Sequence, residues 1–410
     1  MPMRTAQIAW RNLGRSKKRT ALALLAIAVA QFALLATDGL MRGYSDNIRL
    51  AITGPMVGHV QAHHPNWRRQ RALDLAIDEV DRIVSTIHED PDVGDVSARI
   101  YAPVLVAPEE DAFVATVVGL SVDSESNPYG VLSGLKHPLE KGKVLIGYRL
   151  ARKVDAKPGQ EIAVVGQAAD GSLANDLYIV QDIIKCPADI INQSGIVMSL
   201  QDAQRLFVMP NQANEIVIRA KTSGKSRDIT KRLSQKPLFA TIEVLPWQEI
   251  VPELVLILKM SDYVGYFALV IVFVAAIAGI ANTLMMSTFE RMHEFGMLLA
   301  LGTRPMRIVR LIVCEAIFIG ILGVAIGTIL GYGFVAGTAE RGIDMASWGG
   351  EGQVEDMAYQ GLNLPLHIYP RLEPVDSLVG LIAVIITSMA ASVWPAWIAG
   401  RLEPVEAMRA

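Results

Sequence analysis

Few residues in this 410-residue chain are spaced for chemistry. Gly224-Lys225-Ser226 has the ending of a phosphate-cradling loop, in which backbone amides, a lysine and a hydroxyl grip a nucleotide. That loop needs a glycine five residues before Gly224, and Arg219 stands there. No other stretch fits, so the tripeptide reads as a chance match and the chain is not expected to hydrolyse ATP itself. His59, His63 and His64 beside Trp67 have the donor atoms of a metal cluster, but nothing nearby completes a ligand set at the usual spacing. They read as a strand carrying surface histidines. His293-Glu294 lacks the second histidine of the zinc-protease helix, and no G-x-S-x-G marks a nucleophile elbow. Cys186 and Cys314 cannot make a zinc site with each other at that spacing. Cys314 lies in an apolar run and Cys186 in a polar region, so no disulfide is expected. Catalytic, cofactor-binding and metal-binding residues are therefore expected to be none.

What remains is charge in unusual places. Glu315 sits a turn or two inside an apolar run, where an ionisable group is costly and marks function by default. It can bond a neighbouring helix as a structural or gating contact, or line an ion path. As a single acid it fits the contact better than a relay. The second place is Thr288 to Pro305, between two long apolar runs. Phe289, Met292, Phe295, Leu298 and Leu299 fall at helical spacing on one side, with Glu290, Arg291 and Glu294 off it. Gly302 and Pro305 supply a helix stop. A short helix tied at both ends to membrane spans can be pushed, and moves what it is tied to. The plainer alternative is a helix lying at the membrane surface.

The elements that must position these residues follow from composition and hydropathy. Hydrophobic residues make up 51% and charged residues 19%, with mean hydropathy +0.34. That is too apolar for an ordinary soluble protein and too charged for spans alone, so a membrane protein with a sizeable water-facing domain is expected. Net charge is −3 with no basic stripe, which gives no sign of nucleic-acid binding. Residues 1–19 carry Arg4, Arg11, Arg15, Lys17, Lys18 and Arg19 and no acid, beside Ile8, Trp10 and Leu13. This reads as an amphipathic helix on the cytoplasmic side, lying on membrane lipids with its bases at anionic headgroups. Residues 20–41 are long enough to cross about 30 Å of hydrocarbon. With no small-residue cleavage site between Leu35 and Tyr44, they read as an uncleaved anchor rather than a signal peptide.

Residues 42–262 read as an α+β domain. β-rich runs occur at Tyr101–Val106, Ala112–Gly119, Lys143–Gly147, Gln160–Val165, Leu177–Ile184, Gly195–Leu200, Glu215–Ala220 and Thr241–Val244. Helical patterns occur at Arg71–Glu89, Gly147–Val154, Leu200–Val208 and Ser226–Gln235. Residues 263–286 form a second span, with Ala275, Ala276, Ala278, Gly279 and Ala281 as a small-residue face. The link at 287–306 leads to a third span at 307–337. There Gly323, Gly327 and Gly331 recur every four residues and let another helix approach its backbone. Residues 338–375 are too polar to span. Residues 376–399 form a fourth span, with Trp394, Pro395 and Trp397 at an interface, and residues 400–410 a tail. Four spans place the N-terminus, the link and the tail on one side. All three carry basic residues, which makes that side the cytoplasm and puts the domain and the 338–375 loop outside.

Four pieces of the chain resemble the permease subunit of the type VII ABC transporters, the group of MacB, FtsX and the lipoprotein-releasing Lol permeases. AWRNLGRSKKRT before the anchor is similar to the family's amphipathic helix and first span. FERMHEFGMLLALGTRPMRIVRLIVCEAIFIGILGVAIG resembles its link and glutamate-containing third span, and WPAWIAGRLEPVEAMR its ending. GHVQAH and VLIGYRLARKVDAKPGQEIAVV resemble segments of the MacB-like periplasmic core domain. The resemblance implies a four-helix membrane protein with that domain between the first two spans. It makes Thr288–Leu301 a coupling helix, whose Glu290, Arg291, Glu294, Phe295, Met297 and Leu298 meet a dimer of separate ATPase subunits. ATP and Mg would be bound there and not in this chain. It further implies a second permease chain, identical or homologous, a bacterial inner-membrane location with both termini cytoplasmic, and mechanotransmission to the periplasm. The cargo would be a lipoprotein or other hydrophobic molecule, passed to a periplasmic acceptor or adaptor. The alternative is a signalling complex of the FtsX kind that activates an extracytoplasmic enzyme. MacB carries its ATPase in the same chain, so the layout is nearer to the split Lol type.

Overall fold

Four long apolar stretches form the long helices. In the computed structural model, which describes residues 2–14, 17–108, 111–128, 130–133, 135–186, 188–344, 358–359, 362–363 and 367–401, they belong to one of two units. The membrane unit takes in residues 1–45, 258–345 and 367–410, and the inserted unit residues 46–257 and 346–366. The 402–410 part of the tail and most of the loop after residue 344 lie outside the described residues.

Helix α1 (Pro2–Leu13) precedes α2 (Lys17–Ile52), which contains the first span. The helix outruns the apolar stretch 20–41 because nothing breaks it before Gly54-Pro55. An i,i+4 pair, Arg42–Asp38 at 3.0 Å, also supports it past Met41.

The inserted unit contributes nine strands: β1 (Val60–His63), β2 (Val93–Ala107), β3 (Phe113–Leu120), β4 (Lys143–Gly147), β5 (Glu161–Gln167), β6 (Leu173–Ile184), β7 (Gly195–Ser199), β8 (Glu215–Ala220) and β9 (Glu243–Pro246). Their order is β3-β7-β4-β6-β5-β2-β8-β1-β9, and β3 also pairs with β2. Six strands therefore close on themselves, and β8, β1 and β9 extend the sheet from β2. The 15-residue β2 belongs to both parts, pairing with β8 through Val93–Arg99 and with β3 through Arg99–Val106. The main core contains Ile100, Val104, Val117, Val144, Ile162, Val164, Ile216 and Ile218.

Two expectations are corrected here. Helix is absent from the first half of Arg71–Glu89: Arg71 and Glu79 have left-handed backbone (φ 51° and 50°), Ile77 bridges to Ala213, and the helix is confined to α3 (Val80–His88). His63 is fully buried rather than at the surface, because β1 lies between β8 and β9. Burial lowers its pKa. Among the helices that follow are α4 (Val122–Glu125), α5 (Tyr148–Val154), α6 (Leu200–Leu206) and α7 (Ser226–Ser234).

In the membrane unit, α8 (Pro252–Glu290) holds the second span, α9 (Met292–Ala300) the link, α10 (Pro305–Ala339) the third span and α11 (Pro374–Gly400) the fourth. Pro305 opens α10 at a position where its missing N–H costs nothing. The glycine stripe faces the first span. A Cβ on Gly323 would lie 2.7 Å from Ile27 Cβ, and on Gly331 2.9 Å from Leu35 Cβ. One on Gly327 would lie 2.5 Å from the Ala28 carbonyl oxygen. Ile27, Ile280, Ala316, Ile319 and Val384 form the bundle core. Gly279 and Ala281 of the second span's small-residue face approach the first span or that core, while the side chains of Ala275 and Ala276 lie outside the described residues.

Candidate coupling site

The link between the second and third spans is built by two local stops. At Arg291 (φ −106°, ψ 9°) the backbone leaves the helix for one residue, which separates α8 from α9. At Gly302 it turns left-handed (φ 84°), and the amides of Gly302 and Thr303 donate to the carbonyls of Leu299 (2.9 Å) and Leu298 (3.0 Å). That pair of bonds is the Schellman ending, and its positive φ explains the glycine. α9 is thereby held as a short helix between two fixed ends.

Its inner side is sewn to two other elements. Arg291 Nη1 donates to Glu315 Oε1 of α10 at 2.8 Å, and Asn12 Nδ2 of α1 donates to the same oxygen at 2.6 Å. Arg291 Nε lies 3.5 Å from Glu294 Oε2, and the guanidinium sits 5.0 Å over the Phe295 ring. The charge of Glu315 is thus met by a cation from the link and an amide from the N-terminal helix, as a buried carboxylate requires. Phe295, 1% exposed, packs with Ala9, Ile308, Ile312, Ala396 and Ala399. Trp10 stacks edge-on against Phe318 at 5.6 Å.

The outer side of the link is apolar and uncovered. Met297 is 45% exposed, Leu298 40% and Leu301 83%, and Phe289 at the end of α8 is exposed as well. The expected single apolar face is therefore divided. Met292, Phe295 and Leu299 turn inward, and Phe289 and Leu298 outward. Of the six residues that the resemblance makes coupling contacts, Glu290, Met297 and Leu298 are exposed, Glu294 is half-buried, and Arg291 and Phe295 serve the inner seam.

Sequence reasoning missed Asn12, whose single amide among bases carries no spacing signal. It also missed Gln31 of the first span. That side chain is 1% exposed, with Nε2 3.4 Å from Thr328 Oγ1 and a notch provided by Gly327 and Gly380. An amide inside an apolar run is itself a signal for helix contact. Among the described residues no group of His, Cys, Asp and Glu is placed to hold a metal ion. Gly224-Lys225-Ser226 lies in a 3₁₀ turn leading into α7.

Two family models match the chain. Residues 20–236 match the family model of the MacB-like periplasmic core domain, and residues 266–404 that of the FtsX-like permease C-terminal. The chain is 27% identical over 164 residues to an uncharacterized ABC transporter permease of Methanocaldococcus jannaschii, covering 38% of this chain and 40% of that one. It is 41% identical over 73 residues to the ABC transporter permease YtrF of Bacillus subtilis, covering 16% and 17%. With the macrolide export ATP-binding/permease protein MacB of Syntrophobacter fumaroxidans it shares 28% over 131 residues, 32% and 15% of the two chains. The matches thus span less than half the length of each of these relatives. The crystal structure of the periplasmic region of MacB from Actinobacillus actinomycetemcomitans aligns over 52% of this chain and 94% of its own, with TM-score 0.36 and 11% identity. Because the core-domain match alone takes in more than half of the 410 residues, and the permease match covers the later spans, the chain belongs to the MacB- and FtsX-type permeases of the type VII ABC transporters.

Proposed function

We propose that this chain is a permease subunit, which converts ATP hydrolysis in a separate ATPase dimer into movement of the inserted domain. The observation that carries the reading is the two-sided link. Its outer side presents Met297, Leu298 and Leu301 to a partner, and its inner side ties Arg291 to Glu315 and, through Glu315, to Asn12. A push on α9 then reaches the third span and α1 together. ATP and Mg belong to the ATPase, and a second permease chain, identical or homologous, completes the complex. The basic N-terminus, link and tail favour a cytoplasmic placement for all three in a bacterial inner membrane, with the domain in the periplasm. The cargo class is a lipoprotein or another hydrophobic molecule handled at the outer face, with a periplasmic acceptor.

Aspartates at Met297 and Leu298 test the contact. Both side chains already face out, so Met297→Asp/Leu298→Asp leaves the seam intact, whereas lysine at Glu294 would also disturb Arg291. Desolvating two carboxylates in an apolar groove should reduce the ATPase retained by the purified chain by about tenfold or more. Full retention in the variant, or a wild-type complex that hydrolyses no ATP, overturns the reading.

A further inference from the structure

The inserted unit grips the backbone that follows α2. After Ile52 the chain makes a wider turn at Thr53–Val57, in which Thr53, Gly54 and Pro55 are buried. Carbonyls at a helix end have no partner within the helix. Here three of them are taken by two arginines from the sheet. Arg219 Nε of β8 donates to the Gly54 carbonyl at 2.8 Å. Arg99 of β2 donates from Nη2 to Pro55 at 2.7 Å and from Nη1 to Met56 at 2.8 Å. One carboxylate holds both arginines: Glu125 of α4 accepts from Arg99 Nε at 2.9 Å and from Arg219 Nη2 at 2.7 Å. The Val131 amide donates to the same carboxylate at 3.0 Å. Arg99 and Glu125 are fully buried, and Arg219 is 4% exposed.

Such a triad is a poor device for stability alone, since desolvating three charges costs as much as their attraction returns and apolar replacements often do as well. It is a good device for direction. Each guanidinium is a planar fork that bridges a carboxylate and a backbone oxygen, a task a lysine cannot reproduce. Burial pushes the Glu125 carboxyl up, but the charges of Arg99 and Arg219 outweigh it and hold its pKa down at about 2, so Glu125 is ionised near neutral pH. β2 continues from Arg99 into the closed ring of strands, and β8 carries the extension.

We propose that Arg99, Glu125 and Arg219 form the joint through which displacement of the segment after α2 is passed to β2 and β8. They are positioning residues for the movement, and the inference rests on the proposed function. Every atom named belongs to the inserted unit.

Hydrogen exchange of the full chain with its co-purified ATPase, with and without ATP plus vanadate, tests the joint. In the wild type, nucleotide alters exchange in peptides from 46–57, β2 and β8. The Arg99→Lys/Arg219→Lys variant keeps both charges beside Glu125 and loses the forks. It should match the wild type without nucleotide and still respond at 46–57, but lose the response in β2 and β8. An undiminished response there overturns the joint. No response in the wild type overturns the proposed function and the joint with it. If the double variant exchanges faster throughout without nucleotide, Arg219→Lys alone is read the same way. Unfolding of that variant too assigns the triad to stability and overturns the proposal.

Discussion

Glu315 bears a charge within an apolar helix and meets it with Arg291 and Asn12. Side-chain exposures of 8% and 16% for Glu315 and Arg291 make this a largely desolvated pair. Removing one member strands the other, at a cost of about 3–5 kcal/mol. Removing both leaves no charge stranded, only the Asn12 amide without its acceptor. Glu315→Ala and Arg291→Ala should each lower the thermal midpoint in detergent, and the double variant should lose less than the two together, with a coupling of about 0.5–3 kcal/mol. Strict additivity would dissolve the pair. The acid was legible in the sequence because it lies inside the apolar run, five residues past the last base of the span, Arg310. Its partners were not. Arg291 comes from a link whose backbone break no motif announces, and the inward turn of Phe295 depends on where Ala9 and Ala396 lie, which the helical period of α9 does not encode.

Among elements, the third and first spans are joined by absent side chains. The four-residue glycine repeat was visible in the sequence as a close-approach face. The residues that meet it, Ile27, Gln31 and Leu35, were not, because any span could have filled that role. Gly327→Ala places a Cβ 2.5 Å from a backbone oxygen, so the helices must separate. Gly333 in the same helix has open space around it. Gly327→Ala should lower the thermal midpoint, and Gly333→Ala should leave it unchanged or raise it, since alanine gains up to about 1 kcal/mol over glycine in a helix. Equal effects of the two would count against the packing. In the inserted unit the β-rich runs named in the sequence correspond to β2 through β9. The order of those strands stayed hidden, because register and neighbours are set by long-range packing. His63 misled for a related reason. β1 reads Val60-Gln61-Ala62-His63, an apolar–polar alternation that points His63 to a water-facing side, yet all four residues are buried.

At the scale of the whole molecule, composition and four apolar runs showed a membrane protein with an inserted α+β domain, and the family matches agree. The distribution of bases adds the direction that we propose, with the link facing the cytoplasm, where ATP is, and the inserted domain facing away from it. Leu173 on the domain is 75% exposed and Leu301 on the link 83%, so cysteines at either site meet solvent, whereas the native Cys186 is buried. A membrane-impermeant maleimide applied to intact spheroplasts should label Leu173→Cys, and should label Leu301→Cys only after permeabilisation. Labelling of Leu301→Cys but not Leu173→Cys in intact spheroplasts would place the domain beside the ATP supply and contradict a lever driven from the cytoplasm.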